Sequence, residues 1–293
     1  MKSILRKIIV LLTISAGASS CKDNTPDRND SLPEQPLIIY AGAASKPPLE
    51  EVIERFKLKT GIPVEVIIGS SGHVLSQLKI TRKGDIYIPG SSDYMEMAKR
   101  DTLVYANTEK IVAYLVNSIN VQAGNPKAVK SLKDLCKPGL TIAIAHPENV
   151  CLGAYAVEII EKNFTASEKQ QFLTNLRNYT ESCEKTASAI ALRAVDAVIG
   201  WSVFHHWNPQ QIENVYLKKE EIARIGYIPV AICRSSVDST RALKFIEFIT
   251  GTEGKNIFKK YGYFSDVHEA YTFAGDGKPI GGTYKVPDEW LKK

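Results

Sequence analysis

The stretch Pro63–Lys79, PVEVIIGSSGHVLSQLK, contains the transition that decides the fold. The apolar run Pro63–Ile68 is typical of a short buried strand, and the residues after Gly72 have the apolar spacing of a helix. Gly69–Gly72 separates the two patterns. A strand that passes through a glycine-containing turn into a helix is the repeating unit of parallel α/β sheets.

The same alternation extends along the chain. On the N-terminal side it predicts the strand Leu37–Tyr40 and a helix with apolar residues from Leu49 to Phe56. Further on it predicts strands at Asp85–Ile88, Ile111–Val116, Leu140–Ala145, Ala197–Gly200 and Asn214–Leu217. It predicts helices at Ser167–Leu176 and Lys185–Arg193, with a loop at Asn178–Glu184 between them. The apolar run Ile228–Cys233 predicts a return crossing. The sequence therefore predicts one α/β lobe, an inserted second lobe and a return to the first, with doubly wound, mostly parallel sheets.

The first 20 residues have the pattern of a signal peptide rather than of the fold. Three positive charges precede the apolar run Ile8–Ile14, which is too short to span a bilayer. Cys21 follows a stretch of small residues, as in a bacterial lipobox that lacks the usual leucine, so we expect its acylation and a lipid anchor to the membrane. Plain secretion is the alternative. Residues 21–35 are polar and predict a tether.

Charge and cysteine content narrow the function classes. Removing the signal peptide lowers the formal charge from +5 to +2, which gives no electrostatic reason to expect nucleic-acid binding. Beyond Cys21 the exported chain contains four cysteines, which permit two disulfides in three connectivities: Cys136, Cys151, Cys183 and Cys233.

Three loops combine small or hydroxyl residues with the start of a helix. They are Ala41–Ser45 (AGAAS), Gly69–Gly72 (GSSG) and Ala145–Gly153 (AHPENVCLG). Loops of this kind gather at the carboxyl ends of parallel strands, and the unpaired N–H groups of helix N-termini attract anions. Ordinary helix capping by Ser45 and Ser71 is the alternative for each loop taken alone.

Longer segments around these loops resemble the molybdate-binding proteins of bacterial molybdate uptake. The similarity rests on AGAAS, GIPVEVIIGSSGHVLSQL, GDIYIPGSSDYMEMA, AHPENVCLGAYA and IFKKYGY, and it extends from about Pro36 to Phe264. It implies a two-lobed type II periplasmic-binding-protein fold with two crossover strands as the hinge. The implied first lobe comprises residues 36–110 and 228–264, the second lobe residues 111–227, and residues 265–293 form a C-terminal arm.

The resemblance also implies a ligand site. It places Ser45 and Ser71 as hydroxyl donors to an oxyanion and Leu152 and Cys183 as backbone N–H donors, with Cys151 beside them. The family often has a tyrosine donor near the end of the predicted strand Ala197–Gly200, where the chain has Gly200, Trp201 and Ser202. Trp201, Ser202 or a different residue is expected to replace it as a donor. The resemblance also places Cys151 and Cys183 in neighbouring loops, which favours a disulfide between them and leaves Cys136 with Cys233.

These expectations describe a binding protein rather than an enzyme. The predicted ligand is molybdate or tungstate, bound without a cofactor or a directly ligated metal, and the predicted partner is an ABC-transporter permease on the periplasmic side of the membrane. We expect a monomer. Sulfate, thiosulfate or phosphate are alternative ligands, and an enzyme or a sensor lobe on the same scaffold is an alternative of a different class.

Overall fold

The computed structural model describes residues 35–291, which form two five-stranded sheets flanked by helices. The predicted signal peptide, the acylation of Cys21 and the tether up to Glu34 lie outside the described residues. No helix between residues 35 and 291 has the length and apolar character needed to cross a membrane.

Strands and helices alternate over most of this range. The first elements in chain order are β1 (Leu37–Gly42), α1 (Lys46–Thr60), β2 (Val64–Gly69), α2 (Ser71–Thr81), β3 (Ile86–Ile88), α3 (Ser92–Arg100), β4 (Lys110–Leu115) and β5 (Asn117–Gln122). They are followed by β6 (Ile142–Ala145), α4 (Cys151–Asn163), α5 (Ala166–Asn175), β7 (Leu176–Thr180), α6 (Cys183–Ala191), β8 (Ala197–Trp201), α7 (Phe204–Trp207) and β9 (Ile212–Val215). The last are β10 (Gly226–Ile232), α8 (Ser239–Thr250), α9 (Thr252–Lys260) and α10 (Val267–Ala274).

Local sequence features determine where α1 and α2 begin. The first turn of α1 contains Pro47 and Pro48, which are tolerated there because the first N–H groups of a helix have no intrahelical acceptor. The N-cap of α2 is Ser70, whose hydroxyl oxygen accepts a hydrogen bond from the His73 N–H at 3.3 Å. Ser71 is therefore the first helical residue rather than the cap.

The two sheets have related strand orders. The first sheet runs β2-β1-β3-β10-β4 and the second runs β7-β6-β8-β5-β9. In each sheet four strands are parallel to one another, and β10 in the first and β5 in the second run against them. The predicted α/β fold with mostly parallel sheets is confirmed.

The chain passes between the sheets at two neighbouring places. Only Val116 separates β4 of the first sheet from β5 of the second. The return is made by β10, whose first residue, Gly226, pairs with Leu115 beside this link. The lobe boundary at residue 111 stays a prediction, and β4 contributes residues 110–115 to the first sheet.

Two strands were missed because they carry many polar residues. β5 contains Asn120, which is buried and donates a hydrogen bond to the Asn214 side chain at 2.6 Å and to the Trp201 carbonyl at 3.1 Å. β7 lies at the edge of the second sheet and overlaps the end of the predicted helix Ser167–Leu176 and the start of the predicted loop Asn178–Glu184. Polar residues are tolerated in the first strand by side-chain pairing and in the second by exposure.

The C-terminal residues are an integral part of the second sheet's core rather than only a surface arm. Ala270 and Ala274 of α10 are buried in a hydrophobic cluster that also contains Ile142 and Phe172. Trp290 is 1 % exposed, and its indole N–H donates a hydrogen bond to Glu161 of α4 at 2.7 Å.

We predict that Trp290→Ala lowers the free energy of unfolding by about 3–5 kcal/mol, since it leaves a large cavity in this cluster. Leu291→Ala is the matched control, because the neighbouring side chain is 37 % exposed and should contribute little. Urea denaturation followed by circular dichroism measures both values. Equal, small effects would contradict the structural role of Trp290.

Candidate functional site

The carboxyl ends of three strands in the first sheet lie side by side. β1 pairs with β2 so that Gly42 lies opposite Gly69, and with β3 so that Ala41 lies opposite Ile88. Each strand is followed by a helix: α1, α2 or α3. Three helix N-termini, whose first N–H groups lack intrahelical acceptors, therefore meet at one edge of this sheet.

Both predicted serine ligands lie at this edge and are buried. The Ser45 hydroxyl donates a hydrogen bond to the Gly42 carbonyl at 3.0 Å. The Ser71 hydroxyl oxygen accepts one from the Gly90 N–H at 3.1 Å. Since the Ser71 hydroxyl accepts in this bond and donates to no group in the described residues, its O–H is available to donate to a ligand.

The loop after β3 completes this edge and was not predicted as part of the site. A Cβ atom on Gly90 would lie 3.0 Å from the Cys151 sulfur and 3.1 Å from both the Ala44 Cβ and the Ser71 Oγ. A side chain at this position would force the thiol, Ala44 and Ser71 to move apart slightly, so glycine suits this close approach. The sequence signal was present, since PGSSD repeats the Gly-Ser-Ser of GSSG directly after a strand.

The second sheet presents a similar set of helix N-termini. α4 begins at Cys151 and α6 at Cys183, after the parallel neighbours β6 and β7. The His146 N–H donates to the Thr180 carbonyl at 2.9 Å, so the two loops are tied together beyond the strands. Cys151, Leu152 and Cys183 are all buried. The structure thus brings the predicted second-lobe donors into one place.

The two sets of helix N-termini face each other. The Gly72 N–H at the start of α2 donates to the Asn149 carbonyl at 3.2 Å. The Tyr94 hydroxyl of α3 donates to the Glu148 carbonyl at 2.8 Å. Together with the contact between Cys151 and Gly90, these bonds show that the loops of the two sheets are closed against each other.

Trp201 lies inside this closed region at the end of β8. It is fully buried, and its ring packs edge-on against Tyr155 of α4 at 5.0 Å between centroids. Its indole N–H lies near the Cys183 sulfur, yet it has no hydrogen-bond partner in the described part of the chain. Ser202 differs, since its N–H donates to the Val116 carbonyl at 2.9 Å beside the link between the sheets.

The charged side chains near these loops have partners of opposite charge or hydrogen-bond donors. Arg224 is 4 % exposed, forms an ion pair of 2.7 Å with Glu158 and lies 4.0 Å above the Tyr155 ring. Burial raises the pKa of Asp93, while the hydrogen bond from Ser91 and the nearby Arg224 oppose this rise. Sequence reasoning missed these groups because their contacts depend on the folded arrangement.

A surface groove of about 570 Å³ opens beside the buried loops. Its lining comes from both sheets and includes Ala43, Gly69, Ser70, Ser182 and Glu184. Lys46 at the start of α1 forms an ion pair of 2.6 Å with Glu184 of α6, which lines this groove. The groove marks the outer edge of the region in which the helix N-termini meet.

The four described cysteines are free thiols in this structure. The predicted pair of Cys136 and Cys233 is wrong, because Cys233 is buried in the cluster of the first sheet and Cys136 packs against the cluster of the second. Cys151 and Cys183 do lie together, and the hydrogen bond that the Cys183 thiol donates to the Cys151 sulfur, together with burial, raises the pKa of the Cys183 thiol. A disulfide between them stays a prediction.

Comparison with known proteins places this geometry in a family. Residues 37–264 match the model of the bacterial extracellular solute-binding proteins, which is more than half of the chain. The chain belongs to this family. The family consists of binding proteins rather than enzymes, in agreement with the sequence-based prediction.

Relatives of this solute-binding protein include anion binders. The molybdate-binding protein ModA of Mycobacterium bovis is 26% identical over 154 residues, which are 49% of this chain and 56% of the relative. A periplasmic molybdate-binding protein of Azotobacter vinelandii has the same fold, with a TM-score of 0.67, 17% identity and coverage of 78% of this chain and 98% of the other. The sulfate-binding protein SubI of Mycobacterium tuberculosis gives a TM-score of 0.72, 16% identity and coverage of 82% and 90%. The chain spans about half the length of the first curated relatives it matches.

We predict that Asp93 makes the stability of this solute-binding protein pH-dependent. Its pKa in the folded state lies above the ordinary value of 3.8, so its stabilising contribution is present below that value and is lost as the pH rises through the folded pKa. The compared quantity is the free energy of unfolding of Asp93→Asn minus that of the unmodified protein. This difference should therefore increase between about pH 3 and about pH 7.

Denaturation series at several pH values measure this difference. Glu181→Gln is the control, because Lys185 lowers the pKa of that exposed carboxylate and the slope should have the opposite sign. A difference for Asp93→Asn that does not vary with pH would contradict the raised pKa.

Proposed function

We propose that this solute-binding protein captures a tetrahedral oxyanion, molybdate or tungstate, between its first lobe, which is the first sheet with its helices, and its second lobe, which is the second sheet with its helices. The observation that carries the proposal is the meeting of helix N-termini from both lobes around the buried residues Ser71 and Trp201. Closure of the lobes around the anion is the expected mechanism of capture.

The donor chemistry suits a fully deprotonated anion. Such a ligand only accepts hydrogen bonds, and the Ser71 hydroxyl, the Trp201 indole and the first N–H groups of α4 and α6 are all donors. An unpaired buried N–H costs about 1–3 kcal/mol, so the orphan indole of Trp201 would gain from an anionic acceptor. We assign Ser71, Leu152, Cys183 and Trp201 as ligand contacts, with Cys151 in the wall. Ser45 is assigned as well, and its hydroxyl must exchange the Gly42 carbonyl for the anion.

Ser202 is a weaker assignment as a ligand. Its backbone is bonded to Val116 at the link between the lobes, and its carbonyl accepts a hydrogen bond from the Asn214 side chain at 2.7 Å. The hydroxyl is buried without a partner in the described residues.

Relatives support the choice of ligand class. Molybdate binding by ModA relatives favours molybdate, and tungstate is included because the two anions have nearly the same size. Sulfate is the second candidate, since a sulfate-binding protein shares the fold at a TM-score of 0.72. Thiosulfate and phosphate belong to the same class of ligand.

The cellular role follows the family. We propose that the protein is exported, carries a lipid anchor on Cys21 and delivers its ligand as a monomer to an ABC-transporter permease on the periplasmic side of the membrane. The solute-binding family supports the transport role.

We predict that the purified protein binds molybdate and tungstate in isothermal titration calorimetry and that Ser71→Ala weakens this binding about 10- to 100-fold, as expected for one lost hydrogen bond to a charged group. Sulfate, thiosulfate and phosphate titrations identify the alternatives.

Ser70→Ala is the matched control. It removes the cap of α2 and should lower stability by about 1 kcal/mol while leaving binding nearly unchanged. Absence of heat and of thermal stabilisation with every oxyanion would reject the proposed function. Equal weakening by both variants would place the site elsewhere.

A further inference from the structure

The segment after Phe264 is described in the structure but lies beyond the family match, which ends at residue 264. It starts at the first lobe, where the Phe264 N–H donates to the Tyr114 carbonyl of β4 at 3.0 Å. It then enters the second lobe, because Ala270 and Ala274 of α10 are buried in the cluster of the second sheet. The chain therefore crosses between the lobes a third time.

The same segment then pairs with Ile225, which is buried in the cluster of the second sheet, and reaches the first lobe at Gly282. The Ile225 N–H, just before β10, donates to the Pro279 carbonyl at 2.9 Å, and the Gly281 N–H donates to the Ile225 carbonyl at 2.8 Å. This pairing is a short parallel bridge. The next residue, Gly282, donates its N–H to the Ser92 hydroxyl oxygen at 3.1 Å. Ser92 is the first residue of α3, which belongs to the first lobe.

The second lobe holds the other side of this segment. The Arg224 guanidinium donates a hydrogen bond to the Gly282 carbonyl at 2.5 Å and forms its ion pair with Glu158 of α4. Farther along, Trp290 is buried against the second lobe, and Glu289 forms an ion pair of 2.8 Å with Lys169 of α5. Residues 275–291, which we call the C-terminal strap, are thus anchored in the second lobe and bonded to the first.

We propose that the C-terminal strap is a latch that holds the lobes closed over the oxyanion site. Separation of α3 from the second lobe breaks the bond between Gly282 and Ser92 and lifts Gly281 from its seat against Tyr227. The strap therefore adds to the stability of the closed state, whose population sets the apparent affinity. The effect on affinity rests on the proposed function, whereas the effect on lobe closure does not.

Gly281 offers a sharp test. Its φ is +61°, and a Cβ atom would lie 2.5 Å from the Tyr227 ring and 2.6 Å from the Ser92 Oγ, so Gly281→Ala should dislodge the strap from the first lobe. Gly277 is a matched control within the strap. Its φ is +73° and a Cβ atom would meet nothing within 4 Å, so Gly277→Ala introduces similar backbone strain without the clash.

The first measurement is small-angle X-ray scattering of the ligand-free proteins, with folding checked by circular dichroism. Gly281→Ala should have a larger radius of gyration than the unmodified protein and Gly277→Ala should not. Hydrogen exchange is measured on the same three proteins. The Gly282 amide should exchange faster in Gly281→Ala than in the unmodified protein, and Gly277→Ala should show no such change.

The second measurement is the dissociation rate of molybdate, followed by tryptophan fluorescence. Gly281→Ala should release the anion about tenfold faster, as expected for the loss of one or two hydrogen bonds from the closed state. If molybdate does not bind at all, the proposed function fails and the scattering result still decides the latch. Equal behaviour of the two glycine variants in scattering and exchange would overturn the latch.

Discussion

The parallel pairing of β1 with β2 and β3 is the constraint on which the rest of the structure depends. Because Gly42 lies opposite Gly69 and Ala41 opposite Ile88, three chain segments leave the sheet at the same edge. A slip of one residue would turn the side chains of a strand to the opposite face and would separate Ser45 from Ser71. The close contact at Gly90 then lets the second lobe reach the same edge. The position of the site is therefore a consequence of strand register.

The second requirement of the proposed site is that its buried walls carry no unpaired charge before the ligand binds. Ser71, Trp201 and the helix N-termini supply neutral donors, and the burial of Cys183 favours its protonated thiol. Arg224 is neutralised by Glu158. Under the proposed function, walls of this kind would stabilise an incoming dianion with oriented dipoles, and they avoid the cost of burying an unpaired charge when the site is empty. The same design gives little attraction for a cation.

The sequence predicted the elements whose patterns are strong and missed those whose stability comes from partners. The strand-turn-helix units at Ser45 and Ser71 were found because apolar runs and small residues mark them locally. β5 was missed because Asn120 is satisfied by Asn214, which is 94 residues away. Asp93 and Arg224 could not be placed for the same reason, since burial and ion pairing are properties of the fold. The three loops taken together indicated an anion site, and the resemblance to molybdate binders supplied its individual residues.

The C-terminal strap shifts the equilibrium between the open and closed lobes toward the closed state, compared with a two-lobed binder that has only two crossings. With two crossings, opening bends the chain at Val116 and before Gly226, and few lobe-to-lobe bonds need to break at that place. Here a third crossing after Phe264 and the bond between Gly282 and Ser92 add contacts close to the hinge. Contacts near a hinge move little for a given rotation, so short hydrogen bonds can resist the first degrees of opening without blocking it. The strap thereby couples the stability of the second-lobe core, through Trp290, to the closed state of the binding site.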